Sequence, residues 1–259
     1  MFLMQMVFCL LVALLYVGGV AADEPLALHM PDAPPLTLYH DERGHGMVGD
    51  ITLAAIALSG RTARILDEPW ARAQVNVAII PLSRTPEREQ RYTWIVPIMP
   101  LERAFFSLDE PVSSFAQARQ RYRRIGVGLG TAQVEILRRE GFADEQIIQL
   151  KLGENPAILL ERRRLDAWFT GIPEALYIWH KSAEQRRKLY QSPVLASTDL
   201  YLACSRICDT QIVEQLRAAV LQLEASGVSP RLRQAYLTAL DRQSVQLHTY
   251  IQPVAGSAR

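Results

Sequence analysis

A serine, a threonine and an arginine crowd into PLSRTPERE, residues 81 to 89, directly after the apolar run VNVAII. Ser83 and Thr85 bring hydroxyls, and Arg88 brings a guanidinium that can grip one carboxylate with two parallel hydrogen bonds. Thr85 suits a helix N-cap, Pro86 the first helical position and Glu87 the positive end of the helix dipole. The spacing therefore predicts a helix starting at Thr85, with free N–H groups and the Arg88 side chain gathered at the C-terminal edge of a strand. That is chemistry for a carboxylate or similar anion. Taken alone, the block reads more simply as a well-capped surface helix with Arg88 in solvent.

A second group with donors to offer is GVGLGT, Gly126 to Thr131, again a strand opening into a helix. The Gly130 turn and the Thr131 hydroxyl can face an anion or polar group. Three glycines in a GxGxG pattern lack the offset of a dinucleotide fingerprint, and a tight turn needs no ligand. Cys204 and Cys208 stand four apart with no histidine nearby, which is weak for metal and leaves a local disulfide or a buried thiol as the choices. No metal and no cofactor is expected.

These groups must be positioned by the elements around them, and apolar runs alternate with helical patterns in the manner of an α/β fold with mainly parallel sheets. Expected strands are 35–39, 62–66, 75–80, 102–108, 124–129, 166–169 and 199–205. DITLAAIALSG (50–60) is apolar almost all round, as a helix covering a sheet would be. TAQVEILRREG (131–141) is amphipathic and stops at Gly141, NPAILLERRRL (155–165) opens with proline, and 209–227 is a long helix ending at Gly227. The arginine clusters at 119–124, 161–164 and 185–188 read as solvated faces.

The chain has 259 residues, 49% hydrophobic and 21% charged, which suits a globular protein with a sizeable core. Its 28 basic and 27 acidic residues leave a net charge of +1, so there is no basic field to gather nucleic acid. Residues 1–22 carry no charge and end in Val20-Ala21-Ala22, which fits an export signal peptide; a retained membrane anchor is the alternative, because basic residues before the apolar run are missing. Cys9 lacks the small residues that a lipoprotein signal needs before it.

In order along the chain, Gly49-Asp50, EPWARA (68–73), LSRTPERE (82–89), YTWIVPI (92–98), IGVGLGT (125–131), RRLDAWF (163–169) and DLYLACSR (199–206) resemble the bacterial extracellular solute-binding proteins of family 3, the polar amino-acid receptors of ABC importers. The resemblance implies a type II periplasmic binding protein: two α/β lobes, two crossover strands and a ligand cleft. It implies a signal peptide at 1–22, a discontinuous first lobe at 23–102 plus 207–259, and a second lobe at 103–206. Crossovers are placed near Glu102–Ser107 and Leu200–Arg206. Ser83, Thr85 and Arg88 would hold the ligand carboxylate, Gly130 and Thr131 would face it from the second lobe, and Tyr39 and Trp70 are the candidate aromatic walls. Each aromatic has a core role as its alternative.

Three departures from the family pattern are visible. Gly171 stands where an aspartate normally pairs with the ligand ammonium. The loop HDERGHG (40–46) supplies no stacking aromatic. Only DEPWARAQ (67–74) separates two expected strands, whereas a parallel crossover needs about a dozen residues.

The leading expectation is a periplasmic, monomeric protein that captures a small carboxylate-bearing or zwitterionic metabolite for an ABC permease or a membrane sensor. One alternative is a dehydratase of cyclic acids on the same fold, with Asp41, Glu42 or His45 as acid or base. The other is a binding module that has lost its ligand.

Overall fold

The computed structural model describes residues 24–39, 44–66, 76–151, 154–182 and 187–250, with side chains to 239. Its strands are β1 (Leu26–His29), β2 (Ala63–Leu66), β3 (Ala78–Ser83), β4 (Tyr92–Ser107), β5 (Ile125–Gly128), β6 (Ile147–Leu150), β7 (Ala167–Gly171), β8 (Tyr190–Gln191) and β9 (Ala196–Ser205). Its helices are α1 (Met47–Leu58), α2 (Phe115–Arg121), α3 (Ala132–Arg139), α4 (Pro156–Glu161), α5 (Ile172–Lys181), α6 (Thr210–Ala225) and α7 (Val228–Tyr250). One sheet runs β2-β1-β3-β9-β4-β7-β5-β6, with β8 also on β4.

The sheet is parallel at its two ends and antiparallel in the middle, which corrects the expectation of mainly parallel pairing. β1 is parallel to β2 and β3, and β5 to β6 and β7. Between them β9 runs antiparallel to β3 and β4, and β4 antiparallel to β7. β4 and β9 stay paired from Tyr92↔Ser205 to Arg103↔Ala196. The segments foreseen as crossovers are thus parts of two long neighbouring strands that join the halves of the sheet.

Several local expectations are corrected. PLTLY forms no strand: Thr37 makes only an isolated bridge to Ala33 across a turn, and the first strand is LALH before it. The run at 75–80 starts pairing at Ala78, because Asn76 sits in the left-handed region at φ 60, and it continues to Ser83. Pro81 has no N–H to give a ladder, and the register with β9 shifts between Ile79 and Leu82. The helix from 155 ends at Glu161, before Arg163 at φ 53. IIQL and Tyr190–Gln191 add strands that were not foreseen, and a further helix, α7, starts after Gly227. At Pro86 the chain makes a single 3-10 turn, Pro86–Arg88, in place of a longer helix, and Thr85 gives no side-chain cap.

β2 and β3 flank β1, each parallel to it, and residues 67–77 connect them in the chain. Most of this connection, including Trp70, lies outside the described residues, as do residues 1–22, Asp41 and Glu42.

Each half has its own core. In the first, Leu28, Ile80, Val96 and Leu202 pack with Ile51, Ile56, Leu216 and Val220 of α1 and α6. In the second, alternation along β4 sends successive side chains to opposite faces. Phe105 joins Ala118, Val134 and Leu137 on one side, while Ala104 and Phe106 join Leu160, Trp168 and Trp179 on the other. Gly141, at φ 78, lets the chain turn after α3 where a side chain would be strained. α7 packs on α1 and α6 of the first half and on α5 of the second. Cys204 and Cys208 form a disulfide, 2.09 Å, between the end of β9 and the turn into α6. Asp209 caps that helix by accepting from Gln211 and Ile212.

Asp166 holds β5 against β7 by accepting from the amides of Arg123 and Arg124, at 2.9 and 2.8 Å, and from the Arg124 guanidinium at 2.7 Å. Burial alone would raise its carboxyl, but the Arg124 guanidinium and the two amides outweigh burial and hold it below the usual 3.8. A depressed carboxyl stabilises the fold above about pH 3.8 and loses that contribution as pH falls through its native value. Asp166→Asn should therefore cost about 1 kcal/mol at neutral pH. Urea titrations from pH 7 to pH 2 should show a shallower loss of stability in acid for the variant than for the parent.

Candidate functional site

The end of β3 delivers Ser83, and the 3-10 turn that follows delivers Thr85 and Arg88; all three are buried, Arg88 at 6% exposure. An arginine this enclosed needs an anion and carbonyls around it. Arg88 Nε donates to both oxygens of Glu135, at 2.9 and 3.2 Å, and its Nη2 donates to the Gly130 carbonyl at 3.0 Å. The Thr85 hydroxyl donates to Glu135 Oε2 at 2.8 Å. Two of the three residues expected to hold a carboxylate do hold one, and it belongs to the protein itself. Glu135 stands in the first turn of α3, where the helix dipole favours negative charge.

Ser83 is turned to a different partner. Its hydroxyl accepts from Arg103 Nη2 at 2.7 Å, while Arg103 Nη1 donates to Thr198 Oγ1 at 2.7 Å and to the Leu101 carbonyl at 3.1 Å. Arg103 comes from β4, is 1% exposed, and leaves its Nε without a hydrogen bond. Burial pushes its guanidinium down to about 10, against the opposing pull of Glu174, so it remains charged at neutral pH.

Glu174 answers the gap at Gly171. It lies in the first turn of α5 and folds back so that Oε2 accepts from the Gly171 amide at 3.1 Å and from the Thr170 hydroxyl at 3.2 Å. A Cβ built on Gly171 would sit 2.5 Å from that oxygen and 2.8 Å from Leu101 Cδ1. Glu174 Oε2 thus occupies the space that a side chain at 171 would enter. The residue is half-buried and its carboxyl end is enclosed, and that burial raises the carboxyl, opposed by Arg103, Thr170 and the Gly171 amide.

From the other half of the sheet, Gly130 reaches Arg88 through its carbonyl, and its amide donates to Gln149 Oε1 at 3.3 Å. The Thr131 hydroxyl donates back to the Gly128 carbonyl at 2.7 Å. Tyr39 is half-buried in the turn before α1, with its amide donating to Asp32. His45 belongs to the start of α1: its amide donates to Asp50 at 2.8 Å, beside the Tyr236 hydroxyl, which donates to the same carboxylate at 2.6 Å. The sequence reading missed Glu135, Arg103 and Glu174. Glu174 had a legible signal, since GIPE places Glu at the third helical position, where a side chain reaches back to the residue before the helix.

No protein-family model and no curated protein matches the chain, but solved structures do. The protein ArtJ from Geobacillus stearothermophilus, which binds arginine, lysine and histidine, superposes with TM-score 0.70 at 16% identity, covering 85% of this chain and all of that one. A histidine kinase sensor domain with similarity to periplasmic binding proteins gives 0.71 at 15%, covering 83% and 97%. A mutant of ArgBP from T. maritima gives 0.66 at 18%, covering 83% and 95%. The chain has the two-lobe periplasmic-binding-protein fold. Such a binding-protein fold holds its two α/β bodies on paired crossing strands, the part played here by β4 and β9. The Arg88–Glu135 contact joins a residue that follows β3 to one that follows β5, and so spans the two bodies.

Among the described residues no group of acidic, histidine and cysteine side chains is arranged to hold a metal. No described helix is long and apolar enough to cross a membrane.

Proposed function

We propose that the protein captures a small solute bearing a carboxylate, an amino acid or a related zwitterion, between its two bodies. One observation carries this reading: buried Arg88 and Thr85 converge on a single carboxylate at 2.8 to 3.2 Å, the geometry of carboxylate recognition. The solute carboxylate takes the position now held by Glu135, with Ser83 beside it and Gly130 and Thr131 opposite. The enclosed carboxylate of Glu174 is the partner for a cationic group. The similar structures, which include binders of arginine and a ligand-binding core in complex with L-glutamate, support a binding role over a catalytic one.

In this reading residues 1–22 direct export to the periplasm, the first lobe is 23–102 with 207–259, and the second is 103–206. The disulfide fits an oxidising compartment. The bound form then docks on an ABC permease or a membrane sensor, and the sensor-domain likeness supports the second as much as the first.

A panel of amino and carboxylic acids should raise the melting temperature, by mass action worth about 2.7 kcal/mol at a hundredfold excess over Kd. Arg88→Ala should remove the rise. A response that survives Arg88→Ala sinks the carboxylate clamp, and silence across the panel sinks solute capture. The second reading, a module that no longer takes a solute, is favoured by the same geometry, because Arg88 already faces Glu135 and Glu174 already faces Arg103.

A further inference from the structure

The contact that closes the clamp is built from within, and its parts are unusually complementary. α3 presents Glu135 in its first turn and Arg139 one turn later; the 3-10 turn opposite presents Arg88 and Glu87. Glu135 pairs with Arg88 at 2.9 Å and Arg139 with Glu87 at 3.1 Å, so opposite charges alternate along both sides and fix the register of one body on the other. The inner pair is enclosed, its side chains 7% and 19% exposed, and is reinforced by Thr85 and by the Gly130 carbonyl. The outer pair is open to solvent, with side chains 44% and 39% exposed, and is correspondingly weak.

We infer that Glu135 is a tethered stand-in for the solute carboxylate, which pins the two bodies together without solute and must be displaced before solute can bind. This rests on the reading of Arg88 and Thr85 as the carboxylate site. A group carried on the same chain competes at an effective concentration on the order of millimolar. The apparent affinity for solute falls by the fraction of molecules whose clamp is free. A site free in one molecule in about ten binds about tenfold more weakly than the bare clamp. Glu135 therefore sets a threshold: simple carboxylates offer no more than Glu135 does, whereas a zwitterion gains a second contact at Glu174. The clamp is selective for solutes that use both ends.

The test uses the full chain in three forms, wild type, Glu135→Ala and the isosteric Glu135→Gln, with L-arginine, L-glutamate and acetate as probes. Small-angle scattering without solute should show wild type compact and both variants expanded. Titration should then close the variants, with the two amino acids binding at least about tenfold tighter than to wild type and acetate gaining as well, since its competitor is gone. Variants as compact as wild type overturn the proposal. Variants that expand but that no probe closes uphold the pin and instead remove solute capture, so the two readings fail separately. Circular dichroism melts confirm that the variants are folded; if Glu135→Ala is not, Glu135→Gln decides.

Discussion

Arg103→Ala should destabilise the protein by about 3–5 kcal/mol, the loss seen when one partner of a buried ionic group is removed. The guanidinium is 1% exposed and ties three segments: β3 through Ser83, its own strand through the Leu101 carbonyl, and β9 through Thr198. Truncation leaves a cavity and takes the cation away from the enclosed Glu174 carboxyl, which burial already disfavours in its charged form. Arg103→Met keeps most of the volume and so separates packing from charge. Pairing it with Glu174→Gln should recover part of the loss, because no uncompensated charge is then buried. Urea denaturation of the two single variants and the double variant gives the coupling directly. A cost below about 1 kcal/mol for Arg103→Ala would mean that the guanidinium is not a structural tie.

Phe105→Ala should cost a similar amount, about 3–5 kcal/mol, through lost burial and an unfilled cavity. Phe105 is 1% exposed, with its ring centroid 4.7 Å from Phe169, 5.7 Å from Tyr122, 5.9 Å from Phe115 and 6.0 Å from Phe142. All of these pack into the core of the second half, which is distinct from that packed under α1 and α6. The damage should be regional. Hydrogen exchange followed by mass spectrometry should show β5, β6 and β7 losing protection while β1 and β3 keep theirs. Equal loss in both regions would mean that the two cores unfold as one unit.

Much of the fold was legible because its elements carry local signals. The apolar α1, the amphipathic α3 with Gly141 after it, and the strands at 125, 167 and 196 follow from periodicity and caps. What misled was pairing, which is a long-range property. PLTLY has the apolar content of a strand but starts in a turn that folds Thr37 back on Ala33, while the plainer LALH finds partners on both sides. Nothing local marks β4 as sixteen residues long, since two prolines interrupt it; the ladder shifts register there and continues.

At the site, sequence chemistry picked out Arg88 and Thr85 as groups that grip a carboxylate, and in the structure the carboxylate they grip is that of Glu135. Arg88 and Thr85 were readable as carboxylate binders because the types and spacing are local. That Glu135, forty-seven positions away, would fill the clamp depends on how α3 meets the 3-10 turn. Gly171 was read as a lost carboxylate because the comparison was made position by position. In the structure a Glu174 carboxyl oxygen lies where a side chain at 171 would begin, a placement that a position-by-position comparison cannot register.

The neighbouring positions of Arg103 and Ala196 on β4 and β9 bear on how the chain is assembled as well as on how it moves. After Ser107 the chain builds α2 to α5 and β5 to β7, then returns beside the strand from which it left. The whole excursion begins and ends at one point, as if it were an oversized hairpin loop. It is a guest carried by a host, and hosts tolerate guests whose two ends lie close together. The host asks of it that spacing at the seam and matching partners at the Arg88–Glu135 and Arg139–Glu87 pairs and under α7, so the two bodies are free to diverge in sequence except where they touch.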